Sequence, residues 1–109
     1  MSRPRIVVKF GTSTVTAGGP GPELARLSAL CAQIARLRID GVDVVLVSSG
    51  AVATGRSALG AAPARDVPVK QMHAAVGQPR LHALYQQLFG GHGLHVAQVL
   101  LTRSDVENR

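Results

Sequence analysis

The chain has 109 residues, 46% of them apolar and 17% charged, with a single cysteine and a formal net charge of +6. That length fits one small domain or part of a larger one, and the apolar content supports a core and argues against a disordered chain. No apolar run approaches the roughly 20 residues that span a bilayer. The apolar stretch behind Arg3 and Arg5 ends at Val8, too short for a secretory signal, and the lone Cys31 is expected to be a buried structural thiol.

Residues 5–10 form a continuous β-branched and apolar run and read as a fully buried strand of a parallel sheet. Residues 14–22 are rich in turn formers and read as a loop or short hairpin. From Glu23 to Ile39 the apolar positions Leu24, Leu27, Leu30, Cys31, Ile34 and Leu37 follow helical spacing, with Arg26, Gln33, Arg36 and Arg38 left for an outer face. Pro22 suits the first turn of that helix, Glu23 its N-terminal dipole and Gly41 its C-terminal cap. Val42–Val47 reads as a second buried strand, and Ser49–Leu59 as a loop running into a short helix. After a loop over 60–68, Val69–Phe89 is helical in pattern, with Gly77 and Pro79 expected to break or kink it. Gly90–Gly93 ends that helix, Leu94–Leu101 reads as a third strand, and Thr102–Arg109 opens another polar element.

The order β–α–β–α–β predicts an α/β fold with a mostly parallel sheet and helices on both faces. Three buried strands leave sheet edges that want neighbours, so the chain is expected to be the N-terminal part of a longer protein, incomplete at its C-terminus. In such sheets ligands sit beyond the carboxyl ends of the strands. Two strand-to-glycine junctions fall there: Lys9-Phe10-Gly11-Thr12-Ser13 and Ser48-Ser49-Gly50-Ala51.

The first junction has the residue types of a phosphate site. Lys9 supplies a point charge, Gly11 lets a phosphate approach the backbone, and Thr12 and Ser13 offer hydroxyls and N–H groups. A strand-end lysine by itself more often just snorkels to solvent; the glycine and hydroxyls beside it favour the phosphate reading. At the second junction Ser49 and Gly50 could simply cap a helix, and a cap and an anion site are compatible. No Gly-x-Ser-x-Gly is present to suggest a serine nucleophile. His73, His82, His92 and His95 show no recognised ligand spacing, so no metal site is expected and surface or supporting roles are assigned to them. The twelve basic residues are scattered from Arg3 to Arg109 without runs or interleaved aromatics. No nucleic acid is therefore expected as a partner, and no membrane; a moderate positive field also suits phosphates and a carboxylate substrate.

Taken together, Val7–Ser13, Ser48–Arg56 and Lys70–Gln78, continued by Gln87–Phe89 and Gln98–Asp105, resemble the amino acid kinase family over nearly the whole chain. The Ser-Ser-Gly-Ala-Val-Ala-x-Gly-Arg and Ala-Ala-Val-Gly-Gln blocks are similar to its glutamate kinase branch. The resemblance implies residues 1–109 as the N-terminal, substrate-binding part of a kinase domain. It implies ATP-dependent phosphorylation of the γ-carboxylate of glutamate to glutamyl 5-phosphate, the first step of proline synthesis, in the cytoplasm. Lys9 would be catalytic and, with Gly11, Thr12 and Ser13, would bind ATP phosphate; Ser49, Gly50 and Ala51 would bind glutamate. Mg²⁺ would accompany ATP. The resemblance also implies a homo-oligomer at full length, and further glutamate-holding residues, a second lysine, most of the nucleotide lobe and sometimes a PUA domain beyond residue 109. Pro79 and the Gly18–Pro22 loop depart from the family pattern. Two other readings stay open: a truncated, non-catalytic remnant, and a member of the same family acting on another substrate.

Overall fold

The computed structural model describes residues 3–99. Arg5–Phe10 forms strand β1 and Asp43–Ser48 forms β2, paired in parallel from Arg5 opposite Asp43 to Phe10 opposite Ser48. A parallel pair needs a crossover connection. Here it consists of a short helix α1, Thr12–Thr16, and a longer α2, Leu24–Ile39. Helices α3, Ala51–Leu59, and α4, Val67–Gly90, follow β2. The architecture is α/β with a parallel sheet and packed helices, as the alternating patterns predict.

Helix α2 begins one residue later than Pro22 and Glu23 suggest. Glu23 is its N-cap, and the Glu23 carboxylate accepts the Arg26 N–H at 2.6 Å. At the other end Arg38 ties α2 to the next strand, donating to the Val42 carbonyl at 3.2 Å and pairing with Asp43, which Arg3 also approaches at 3.4 Å. That cluster lies at the start of both strands, away from the glycine junctions.

The core is aliphatic with three aromatic rings. Leu27, Cys31 and Ile34 of α2 meet Leu81, Tyr85 and Phe89 of α4 over Phe10 and Val15, with Val8, Val44 and Leu46 packed against them. The buried residues of α4 (His73, Gly77, Leu81, Tyr85, Phe89) recur every four positions and form one continuous stripe. Burial raises the Cys31 thiol pKa to about 11, which leaves it an inert structural thiol at neutral pH.

Four expectations need correction. Residues 14–16 of the expected 14–22 loop or hairpin belong instead to helix α1, with Gly11 accepting the Val15 N–H at 3.0 Å and left-handed Ala17 closing the turn. The two strands are not fully buried. Val7, Val45 and Val47 are exposed while their alternating neighbours pack inward, because among the described residues α2 and α4 cover the same face of the sheet. Helix α4 runs unbroken through Gly77 and Pro79. Pro79 and Ala75 are both exposed, so water can reach the carbonyl that loses its donor, while the buried stripe holds the helix on the other side.

Finally, residues 94–99 do not pair as a strand. Leu94 and Val96 pack against the core, and a cavity of about 910 Å³ is lined both by this segment and by β2. The rest of that expected strand, the polar element over 102–109 and the end of the Gln98–Asp105 block lie outside the described residues.

Candidate active site

The two glycine junctions are side by side. Lys9 lies opposite Val47 and Phe10 opposite Ser48, so both chains leave the sheet at the same end. The ladder then continues past the strands: the Ser49 N–H donates to the Phe10 carbonyl at 2.8 Å. Lys9, Thr12 and Ser13 are exposed, Gly11 is half-buried, and Ser49 and Ala51 are half-buried on the neighbouring loop. All seven residues singled out from the sequence therefore cluster around one edge of the fold.

Each loop is shaped by local physics. At Gly11 the backbone is extended, with φ −75°, and a Cβ there would meet nothing within 4 Å. The protein itself does not require glycine at this point; open space in front of a backbone is what an approaching anion would use. Gly50 is different. It is the N-cap of α3 with φ 110°, a conformation that strains any residue with a side chain, and its Cβ would sit 3.0 Å from Val15. Val15 belongs to α1 and is fully buried, so Gly50 is where the two loops pack on each other. The first N–H groups of α3 have no partner within the helix and face the junction. Inside α3, the Thr54 hydroxyl donates back to the Gly50 carbonyl at 2.7 Å and braces the turn.

Helix α4 fixes the base of this edge. A Cβ on Gly77 would overlap the Ala51 carbonyl, lying 2.9 Å from its carbon, and a Cβ on Gly55 would lie 2.7 Å from the His73 carbonyl carbon and 2.8 Å from the Gly77 N. Two facing glycines thus let α3 and α4 touch backbone to backbone. The Gly77-Gln78 pair has no assignable contact in the sequence beyond a default packing role; its glycine sets the height of the first turn of α3. His73 is buried at the same crossing with its Nδ1 unpartnered, so it is a core residue and not a surface one.

Tyr85 is the residue that sequence reasoning missed. Its ring tilts against Phe10 at 6.5 Å and Phe89 at 6.2 Å, and its hydroxyl lies 2.6 Å from the Ser48 hydroxyl. Its membership of the every-fourth stripe in α4 signals burial, but only the tertiary fold brings it to Ser48. Burial raises the pKa of the Tyr85 hydroxyl, partly offset by the hydrogen bond with Ser48, so the group keeps its proton. Among the described residues no three histidine, cysteine or carboxylate side chains converge, and no helix is long and apolar enough to cross a membrane.

The amino acid kinase family model matches residues 4–109, almost the entire chain. The chain belongs to the amino acid kinase family. It is 50% identical over 106 residues to a glutamate 5-kinase of Dehalococcoides mccartyi (strain CBDB1). It is 49% identical to the glutamate 5-kinase of Trichlorobacter lovleyi and 48% identical to that of Shewanella amazonensis. In each case 96% of this chain is covered but only 28% of the relative, so the chain spans somewhat over a quarter of the length of these curated kinases. The matched stretch includes both glycine junctions.

Proposed function

We propose that this segment supplies the phosphate-contacting lysine and part of the glutamate pocket of a glutamate 5-kinase. The observation that carries the reading is the hydrogen-bonded adjacency of the Lys9–Ser13 and Ser49–Ala51 loops at the carboxyl ends of paired strands. Its relatives of about 50% identity bear that name.

In the reaction, an oxygen of the glutamate γ-carboxylate attacks the γ-phosphorus of ATP. The new P–O bond forms as the bond to the β,γ-bridging oxygen breaks, and ADP leaves with that electron pair. The product, glutamyl 5-phosphate, is an acyl phosphate that a reductive step toward proline can consume. Phosphoryl transfer asks the protein mainly for positioning and charge stabilisation. Lys9 meets the second demand, placing a cation where negative charge builds on the transferring group. Gly11 gives the phosphates room, and Thr12 and Ser13 offer hydroxyls to them. Ser49, with the free N–H groups at Ala51 and the turn behind Gly50, holds the carboxylate substrate. Mg²⁺ bound to the ATP phosphates would neutralise part of their charge. The enzyme on this reading is cytoplasmic and assembles as a homo-oligomer at full length.

An ATP-dependent glutamyl hydroxamate assay tests the proposal. It is run on the 109-residue chain and on any longer protein that contains it. Hydroxamate formation by either supports the assignment. No product from glutamate, with turnover of aspartate or acetylglutamate instead, replaces the substrate while keeping the family.

A further inference from the structure

We propose that Tyr85 is a positioning residue for glutamate, acting through a hydroxyl relay that ends on the Ser49 backbone. The inference rests on the glutamate kinase reading of the Ser49–Ala51 loop and extends it to a residue 37 positions away from Ser48.

The direction of the relay follows from proton counting. The Ser48 hydroxyl has one proton, and it donates that proton to the Ser49 carbonyl at 2.8 Å. Toward Tyr85, 2.6 Å away, Ser48 can then only accept. Tyr85 therefore donates to Ser48, and Ser48 donates to Ser49. The other side of the same residue is held as well, since the Ser49 N–H donates to the Phe10 carbonyl at 2.8 Å. Phe10 is in turn packed on the Tyr85 ring. Tyr85 thus anchors Ser49 twice, through its ring by way of Phe10 and through its hydroxyl by way of Ser48. With both backbone groups fixed, the Ser49 side chain is left to address a ligand. Tyr85 is only 6% exposed, so the relay is shielded from water, and the proton that starts it is retained because burial raises the hydroxyl pKa.

A phenylalanine would fill the core at this position equally well, so the hydroxyl separates positioning from packing. The test uses the full-length enzyme containing this segment, with steady-state kinetics in glutamate and ATP measured separately. Tyr85→Phe is expected to raise the glutamate KM by about 3–10-fold, the equivalent of one net hydrogen bond, with kcat falling less and the ATP KM within about twofold. Ser48→Ala should do the same, the double variant should be no worse than Ser48→Ala alone, and Ser48→Thr, which keeps a hydroxyl, should restore the KM. Additive effects of the two variants, or equal changes in both KM values, overturn the relay and leave Tyr85 as packing. An active wild type with an unchanged glutamate KM in Tyr85→Phe overturns it too. A wild type that does not phosphorylate glutamate overturns the underlying reading, and the relay with it.

Discussion

Gly77→Ala adds a single methyl group to helix α4, and the contact geometry sets its cost. The new Cβ would lie 2.9 Å from the Ala51 carbonyl carbon and 2.5 Å from the Gly55 N. Ordinary contacts between such atoms begin at about 3.4 Å, and both obstacles are backbone, so no rotamer change relieves them. The Ala51 carbonyl oxygen lies closer still, so helices α3 and α4 must separate by more than about 1 Å at their crossing. A gap of that size forfeits a quarter to a half of each dispersion contact, and overpacking of this kind costs about 3 kcal/mol. Alanine returns about 1 kcal/mol of helix propensity. The net loss is about 2 kcal/mol, or about 8 °C in Tm for a domain of this size. Gly90→Ala is the internal control, because it lies in the same helix, has no neighbour within 4 Å of its Cβ and should be neutral or slightly stabilising. Urea denaturation followed by circular dichroism reads both. If Gly77→Ala falls within about 0.5 kcal/mol of wild type, the backbone-on-backbone crossing is not as described.

Lys9→Ala is expected to lower kcat about 100–1,000-fold in a hydroxamate assay of the full-length enzyme, with the urea midpoint unchanged, since the side chain is exposed; near-normal turnover removes Lys9 from the transition state. Ser49→Ala should raise the glutamate KM about tenfold and leave the ATP KM alone, which separate substrate titrations will show. Cys31 gives a pH prediction. Its thiol is raised from 9.0 to about 11 by burial, so the folded state keeps a proton that the unfolded chain releases. Its contribution is fully present below pH 9 and is lost as pH rises to about 11, a fall of about 2–3 kcal/mol that Cys31→Ala should not show. Denaturation curves at pH 8 and pH 10.5 for both proteins measure the difference.

The sequence discloses those features that depend on neighbours along the chain. The strand cores at Val7-Val8 and Val44–Val47, the spacing of Leu27, Cys31 and Ile34, and both glycine junctions are local signals, and the structure contains each of them. Helix α1 is invisible for the same reason: Thr-Ser-Thr-Val-Thr has poor helix propensity, and its one turn is held by the cap at Gly11 and the packing of Val15 under Gly50. Pro79 misleads because its cost depends on which side of the helix it occupies, a tertiary fact. The burial of the strands is misjudged because a β-branched run records what a strand is suited to face, and among the described residues one face of the sheet is open. The juxtaposition of Tyr85 and Ser48 has no local signal.

The Ser48–Ala51 loop is constrained from three directions. From β1, the Phe10 carbonyl holds the Ser49 N–H. From α1, Val15 packs against Gly50, whose positive φ turns the chain into α3. From α4, Tyr85 reaches Ser48, and Gly77 admits the Ala51 backbone so closely that a methyl group would not fit. A loop needed only to connect a strand to a helix would tolerate far looser support, because connections of this length are the most variable parts of a fold. Convergence of a strand end, a buried valine, a tyrosine hydroxyl and a glycine crossing on four residues is how a scaffold holds a binding group within a fraction of an ångström. On the proposed reading of this loop as part of the glutamate pocket, damage at Gly77 or Tyr85 should reach glutamate before it reaches ATP. Lys9 and Ser13 are carried by the other junction, whose shared support with this loop is Phe10 and Val15.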